Sequence, residues 1–312
     1  MPLDPHVKRF LKMLAAGGIP EVSELTPAKM RQAILRLARA VDAKDIPIGK
    51  TENRELSGLG APLRVRVYIP APINSDKTGG IVYFHGGAGV FCNIETHDGL
   101  CRMLANESGC RVISVDYRLA PEHQFPAAVE DSCLATKWVS DHALELGIDP
   151  ERIAVGGDSA GGTLAAVVCH IAKQAGAPRL ALQVLFCPVT DVSANSDSHK
   201  AYAERYFFDR ATMEWALKHY CPPGVDLEDP RLSPLRTADL TGLPAAQIHT
   251  AEFDPLRDEG KAYADRLRRA GVNVRYTCHE GMIHHFYAMA GILPYARLAI
   301  RAAGTAIKEA LA

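Results

Sequence analysis

The chain is predicted to fold as an α/β domain around a mainly parallel β-sheet covered by helices on both faces. Three observations predict this. Short, continuous apolar runs occur at 81–84, 111–115, 153–155 and 182–186. Helical stretches around 97–108, 125–142 and 160–175 separate them. The alternation then resumes at 245–250, 261–270, 272–278 and 296–310. Unbroken apolar runs mark strands buried on both sides, and their alternation with helices marks crossover connections between parallel neighbours.

Taken in order, residues 1–45 read as helices without a strand. Val7, Phe10, Leu11 and Leu14 repeat at three and four, as do Met30, Ile34, Leu37 and Val41. Thr26-Pro27 places an N-cap before a proline at the first helical position. His6-Val7-Lys8-Arg9 is too short a basic block to be a tail and reads as a solvated helix face. Strand character begins after about residue 52, with the alternation Arg64-Val65-Arg66-Val67-Tyr68-Ile69 marking a half-buried strand near a sheet edge. Residues 70–80 form a turn-rich connection. An irregular interval at 192–225 carries Tyr202, Tyr206, Phe207, Phe208, Met213, Trp215 and Tyr220. Such an interval either packs onto the body or roofs a pocket, with Phe207 and Phe208 as candidate walls.

Composition limits the partners. Thirty-five Lys and Arg against 36 Asp and Glu leave a formal net charge of −1, so no summed field draws nucleic acid or anionic lipid. No apolar run approaches the roughly 20 residues of a membrane-spanning helix. The eight cysteines form no C-x-x-C pair, and several stand inside apolar runs, so they read as buried thiols. With no signal-peptide layout at the amino terminus, the expected compartment is the cytoplasm.

The strongest chemical signal is Ile153-Ala154-Val155-Gly156-Gly157-Asp158-Ser159-Ala160-Gly161-Gly162, a strand running through G-x-S-x-G into a small-residue helix. A serine there sits on a strained strand-to-helix turn, and the helix N-terminus behind it favours developing negative charge. G-x-S-x-G alone occurs by chance in roughly one chain in ten of this length, so its placement carries the weight. Upstream, the strand 81–84 ends in His85-Gly86-Gly87-Ala88-Gly89. A loop of small residues there either makes a plain turn or aims backbone N–H groups at one point, as an oxyanion hole requires. Acyl transfer also needs an acid and then a base histidine, and both follow in that order in Thr250–Glu259 and Glu280–Phe286.

These segments together resemble the hormone-sensitive-lipase-like esterases, the bacterial family IV lipolytic enzymes, over roughly residues 60–310. The matching motifs are His85-Gly86-Gly87, Asp116-Tyr117-Arg118-Leu119-Ala120-Pro121-Glu122 with Phe125-Pro126-Ala127-Ala128, Gly157-Asp158-Ser159-Ala160-Gly161, Asp254-Pro255-Leu256-Arg257-Asp258-Glu259 and Gly281-Met282-Ile283-His284. The resemblance implies an α/β-hydrolase fold with about eight strands and a helical cap. It implies 1–45 as an N-terminal cap segment, 46–312 as the catalytic domain and 192–225 as a second cap insertion. It further implies Ser159 as nucleophile, His284 as base, Asp254 as its orienting carboxylate, and the N–H groups of Gly87, Ala88 and Ala160 as the oxyanion hole. His85 and Gly86 would support that loop. The substrate expected is a short- to medium-chain carboxylic ester, with no cofactor, no metal and a possible homodimer.

Two residues depart from the family pattern. Ala88 replaces a third glycine and is followed by Gly89, where a bulky residue is usual; it serves the hole provided its backbone needs no positive φ. His285 replaces a glycine and becomes a rival base or a pocket residue. His279, His284 and His285 lack any zinc spacing such as H-E-x-x-H. Asp258 and Glu259 are expected to serve the dipole of the next helix, and Asp158 and Glu122 to be hydrogen-bonded supports around the elbow. An amidase acting on an aryl formamide is the catalytic alternative. A hormone-binding protein that has lost its histidine is the non-catalytic one, opposed by the presence of all three residues.

Overall fold

The computed structural model describes residues 2–17, 22–57, 62–71 and 78–312. Its elements in chain order are α1 (Pro5–Ala16), α2 (Pro27–Val41), β1 (Lys50–Leu56), β2 (Leu63–Ile69), β3 (Thr78–Phe84), α3 (Asp98–Ser108), β4 (Arg111–Val115), α4 (Ala127–Asp141), β5 (Ile148–Asp158), α5 (Ala160–Ala175), β6 (Leu182–Phe186), α6 (Asp197–Ala201), α7 (Arg210–Tyr220), β7 (Ala245–Phe253), α8 (Arg257–Arg269), β8 (Val274–Ile283) and α9 (Pro294–Ala310). One eight-stranded sheet runs in the order β1-β2-β4-β3-β5-β6-β7-β8. The pairs β1–β2 and β2–β4 are antiparallel and the others are parallel. This is the α/β architecture the alternation predicts, and the number of strands agrees.

Two cores flank the sheet. Ala128, Val139, Val167, Tyr263 and Leu267 bring α4, α5 and α8 onto one face. Leu100, Leu104, Ile300 and Ile307 bring α3 and α9 onto the other. Almost every residue from Gly161 to His170 is buried, which places α5 centrally, as befits a helix apolar all round. Ser159 therefore joins the middle of the sheet to the most deeply buried helix. No helix among the described residues is long and apolar enough to cross a membrane. All eight cysteines are free; Cys133, Cys221 and Cys278 are half-buried and the other five buried.

Two features differ from the sequence reading. β1 was not expected, because Lys50-Thr51-Glu52-Asn53-Arg54-Glu55-Leu56 carries charge throughout. It survives by pairing residue for residue with β2, and its charges protect an exposed sheet edge from further pairing. β5 begins at Ile148 rather than Ile153, its polar first half bonded to Thr78 at the start of β3. Most of the turn-rich connection expected over 70–80 lies outside the described residues.

The core also holds neutral histidines. His249 Nδ1 lies 3.1 Å from His279 Nε2; burial and then the His279 neighbour push His249 down to about 3. Burial alone brings His279 to about 4, and His170, buried beside Lys173 and Arg266, also falls to about 4. In the unfolded chain these rings titrate near 6.5, so between that value and 4 the unfolded state binds more protons. The stability these histidines provide as neutral groups is full above pH 6.5 and is lost as pH falls through the window. The urea midpoint is expected to drop steadily from pH 6.5 to 4, with a shallower slope in His249→Gln.

Candidate active site

The candidate site lies at the carboxyl ends of β3, β5, β7 and β8. Ser159 follows β5 at φ 53° and ψ −123° and begins α5, a conformation that costs a non-glycine residue about 1–3 kcal/mol. Two glycines make the turn possible. A Cβ on Gly157 would overlap the carbonyl of Gly161, and one on Gly161 would overlap those of Phe84 and His85. The elbow is thus pressed against the end of β3 with no room for side chains. Its backbone is held by Ser159 N donating to Phe186 O at 2.8 Å and by Val189 N donating to Ser159 O at 3.2 Å.

The loop after β3 has three successive residues at positive φ: Gly87 at 108°, Ala88 at 53° and Gly89 at 71°. A Cβ on Gly87 would overlap the Phe91 carbonyl, and one on Gly86 would overlap Asp158 Oδ2. The condition set for Ala88 is not met: it occupies the left-handed region, at about 1–2 kcal/mol for an L-residue, and keeps its N–H there. Gly86 N–H is spent on Asp158 Oδ1 at 3.0 Å. No hydrogen bond among the described residues engages the N–H groups of Gly87, Ala88 or Ala160. His85 braces the loop, with Nδ1 2.7 Å from Gly86 O, its ring stacked on Tyr117 and its carbonyl accepting from Tyr117 Oη at 2.6 Å.

Asp254 follows β7 and His284 follows β8. His284 Nδ1 stands 2.8 Å from Asp254 Oδ2; a carboxylate only accepts, so the ring N–H donates. Leu256 N donates to the other oxygen at 2.9 Å. Asp254 is fully buried and His284 nearly so, with Phe208 stacked on the imidazole at 4.5 Å. His285 turns the other way. It sits at φ 64°, the glycine-favouring region, and its Nδ1 is 3.3 Å from Asp158 Oδ2. The residue before the serine thereby meets the residue after the histidine.

Asp158 is the hub beneath these loops. Besides Gly86 and His285, it accepts from Tyr83 Oη at 2.7 Å, and His97 Nε2 lies 3.1 Å away. Burial pushes its carboxyl up, but the His97 and His285 imidazoles outweigh that and hold it well below the usual range. Glu122 bonds outward to Arg31 Nη2 at 2.6 Å, and Arg31 also donates to Val90 O and Ala120 O, tying α2 to the glycine loop. Sequence patterns gave no sign of Tyr83, His97 or Arg31, whose bonds to Asp158, Val90, Ala120 and Glu122 span 59 or more residues. Glu259 stands in the first turn of α8, as expected, but not at the surface. It is buried, accepts from Thr190 N and Asp191 N at 2.6 and 3.2 Å, and burial drives its carboxyl well above the usual range.

A cavity of about 280 Å³ runs from Ala88, Gly89 and Ala160 to Phe208, Met213, Leu217 and Tyr220. A Cβ on Gly89 would lie 2.5 Å from Tyr220 Cε2, so the Tyr220 ring takes the space a bulky residue at 89 would fill. Phe207 is not part of that wall; its ring stacks on His285 and meets Phe10 at a tilt. Two groups of ligating side chains have their atoms within 4.8 Å of one another: Cys187, Asp254 and His284, and His97, Asp158 and His285. Burial pushes the Cys187 thiol well up, which keeps it protonated and a poor metal ligand.

A family profile described as the α/β-hydrolase fold matches residues 81–288. An arylesterase of Saccharolobus solfataricus is 39% identical over 92% of each chain. Carboxylesterase NlhH of Mycobacterium tuberculosis is 38% identical over 99% of this chain and 96% of its own. An ester hydrolase from the metagenome of Lake Arreo, solved with a bipyridine phosphonate derivative, superposes with a TM-score of 0.96 at 42% identity, covering 98% of each chain.

Proposed function

The chain belongs to the hormone-sensitive-lipase-like esterases of the α/β-hydrolase family and is a serine carboxylesterase, and from that premise we propose how its own residues divide the work. Ser159 Oγ attacks the ester carbonyl while His284 Nε2 takes its proton. Asp254 holds the ring as the Nδ1–H tautomer and stabilises the imidazolium. The N–H groups of Gly87, Ala88 and Ala160 receive the oxyanion at the start of α5, where the helix dipole adds to them. His284 then protonates the departing alcohol, and water, activated by the same nitrogen, releases the acid from Ser159. The buried 2.8 Å pair of His284 and Asp254 carries this reading, because His285, the rival base, is engaged by Asp158 instead.

The substrate is a short- to medium-chain ester. The cavity of about 280 Å³ lies just below the range of sites for drug-sized ligands. Residues 1–45 and 192–225 act as the cap: Trp215 Nε1 donates to Leu25 O at 3.1 Å, and Met30, Phe91 and Trp215 share one small apolar cluster. A p-nitrophenyl acyl series from acetate to palmitate tests this, with the maximum expected among the short chains. A maximum at palmitate, or faster turnover of the matched anilides, would overturn it.

Gly87→Ala is expected to lower kcat by roughly 10²–10³-fold, the worth of one misaimed oxyanion donor, since its Cβ must displace the Phe91 carbonyl. Ala88→Gly keeps the N–H and removes the left-handed strain, so kcat should stay within about threefold. Steady-state kinetics of the two variants, side by side, make the check.

A further inference from the structure

We propose that His97, Asp158 and His285 form a site for one divalent transition-metal ion, and that filling it inhibits the enzyme. The binding rests on the ligand geometry; the inhibition rests on His284 being the base.

The hydrogen bonds around His97 define what its inner nitrogen offers. Thr96 Oγ1 has one hydrogen and gives it to Asn93 O at 2.7 Å. With the hydroxyl on Asn93 O, the 2.9 Å contact with His97 Nδ1 takes its hydrogen from the ring. A neutral His97 is then the Nδ1–H tautomer, and its Nε2 lone pair faces Asp158 oxygens at 3.1 and 3.2 Å. The Gly86 N–H approaches that nitrogen only at 3.4 Å. In this tautomer the lone pair and the carboxylate are matched by a cation between them, a proton or a metal ion. Imidazole binding through one nitrogen while the other N–H is held by an oxygen is the usual form of a metal-ligating histidine.

The third ligand completes the coordination set. His285 Nδ1 is 3.3 Å from Asp158 Oδ2, and the three ligand atoms lie within 4.8 Å of one another. Ligands around tetrahedral zinc at 2.0–2.2 Å stand about 3.4 Å apart, so both contacts to Asp158 already have that spacing. Only His285 must move toward His97. Tyr83 Oη and Gly86 N stay on Asp158 Oδ1 and orient the carboxylate. His97 is completely buried, whereas the His285 side chain is 20% exposed and gives the ion its way in. Two imidazoles and a carboxylate suit Zn2+, Cu2+ or Ni2+ and leave a coordination position open. No zinc spacing exists along the chain because the ligands come from three separate loops. Drawing His285 inward displaces its neighbour His284 from Ser159.

The test titrates the chelator-treated full chain with Co2+, followed by its visible absorption, then displaces it with Zn2+; p-nitrophenyl butyrate hydrolysis is followed against Zn2+ in parallel. One equivalent of Co2+ should produce the bands of a low-symmetry site, and Zn2+ should remove them. Zn2+ should lower activity at least tenfold, with recovery on chelation. Thr96→Val should weaken Co2+ binding by about 10–100-fold, the worth of an outer-shell partner. His285→Gly, whose backbone conformation suits glycine, should lose both the bands and the inhibition, each judged against its own metal-free activity. Absence of bands in the wild type, their persistence in His285→Gly, or a thiolate–cobalt band marking Cys187 would overturn the site. Bands without inhibition would overturn only the part that depends on His284.

Discussion

Ser159→Ala is expected to fold normally and to lose roughly 10⁶-fold in kcat, the scale on which a nucleophile within a cooperating triad is missed. Alanine inherits the same φ of 53° and the same backbone bonds to Phe186 and Val189, so stability should change little. Ser159→Gly separates the two roles of the position. It is just as inactive, but it releases strain of about 1–3 kcal/mol against a glycine entropy cost of about 0.5–1 kcal/mol. Its urea midpoint should therefore rise above that of the wild type. A stabilised, inactive Ser159→Gly beside an unchanged, inactive Ser159→Ala would show strain held in the elbow for the sake of the nucleophile. Equal midpoints would show that the turn is not strained.

The second large effect distinguishes the adjacent histidines. His284→Ala removes the base and should cost about as much as Ser159→Ala, because members of a triad fail as a unit. Asp254→Asn leaves the ring in place but no longer holds its productive tautomer, a loss of about 10⁴-fold. His285→Ala should cost less than about tenfold in kcat, since its imidazole reaches Asp158 and not Asp254. The reverse order, with His285→Ala the more damaging, would move the base by one residue. Pre-steady-state bursts on p-nitrophenyl acetate provide the comparison, because loss of the base removes the burst itself.

Much of this was legible because the sheet is buried on both faces. Runs such as Ile81–Phe84, and Leu182–Phe186 but for Gln183, are hydrophobic throughout, so apolar character alone finds them. β1 was invisible for the opposite reason: its face is wet and its pairing, not its composition, makes it a strand. The catalytic candidates were readable since each closes a strand, where local motif and global position coincide. The support beneath them was not. Asp158, His97, Tyr83 and His285 are joined by hydrogen bonds that span up to 127 residues, and no local pattern records a contact of that kind. Ala88 lies between these cases. Its departure from glycine was plain in the sequence, but its left-handed backbone is a property of the folded loop.

The central claim is that Ser159 carries the acyl group, and covalent trapping addresses it most directly. The enzyme would be treated with a p-nitrophenyl alkylphosphonate, digested, and the modified residue located by mass spectrometry. One phosphonyl group on Ser159, with loss of activity in proportion to labelling and none taken up by Ser159→Ala, is the predicted result. Inactivation with the label on another residue, or full ester turnover by Ser159→Ala, would contradict it.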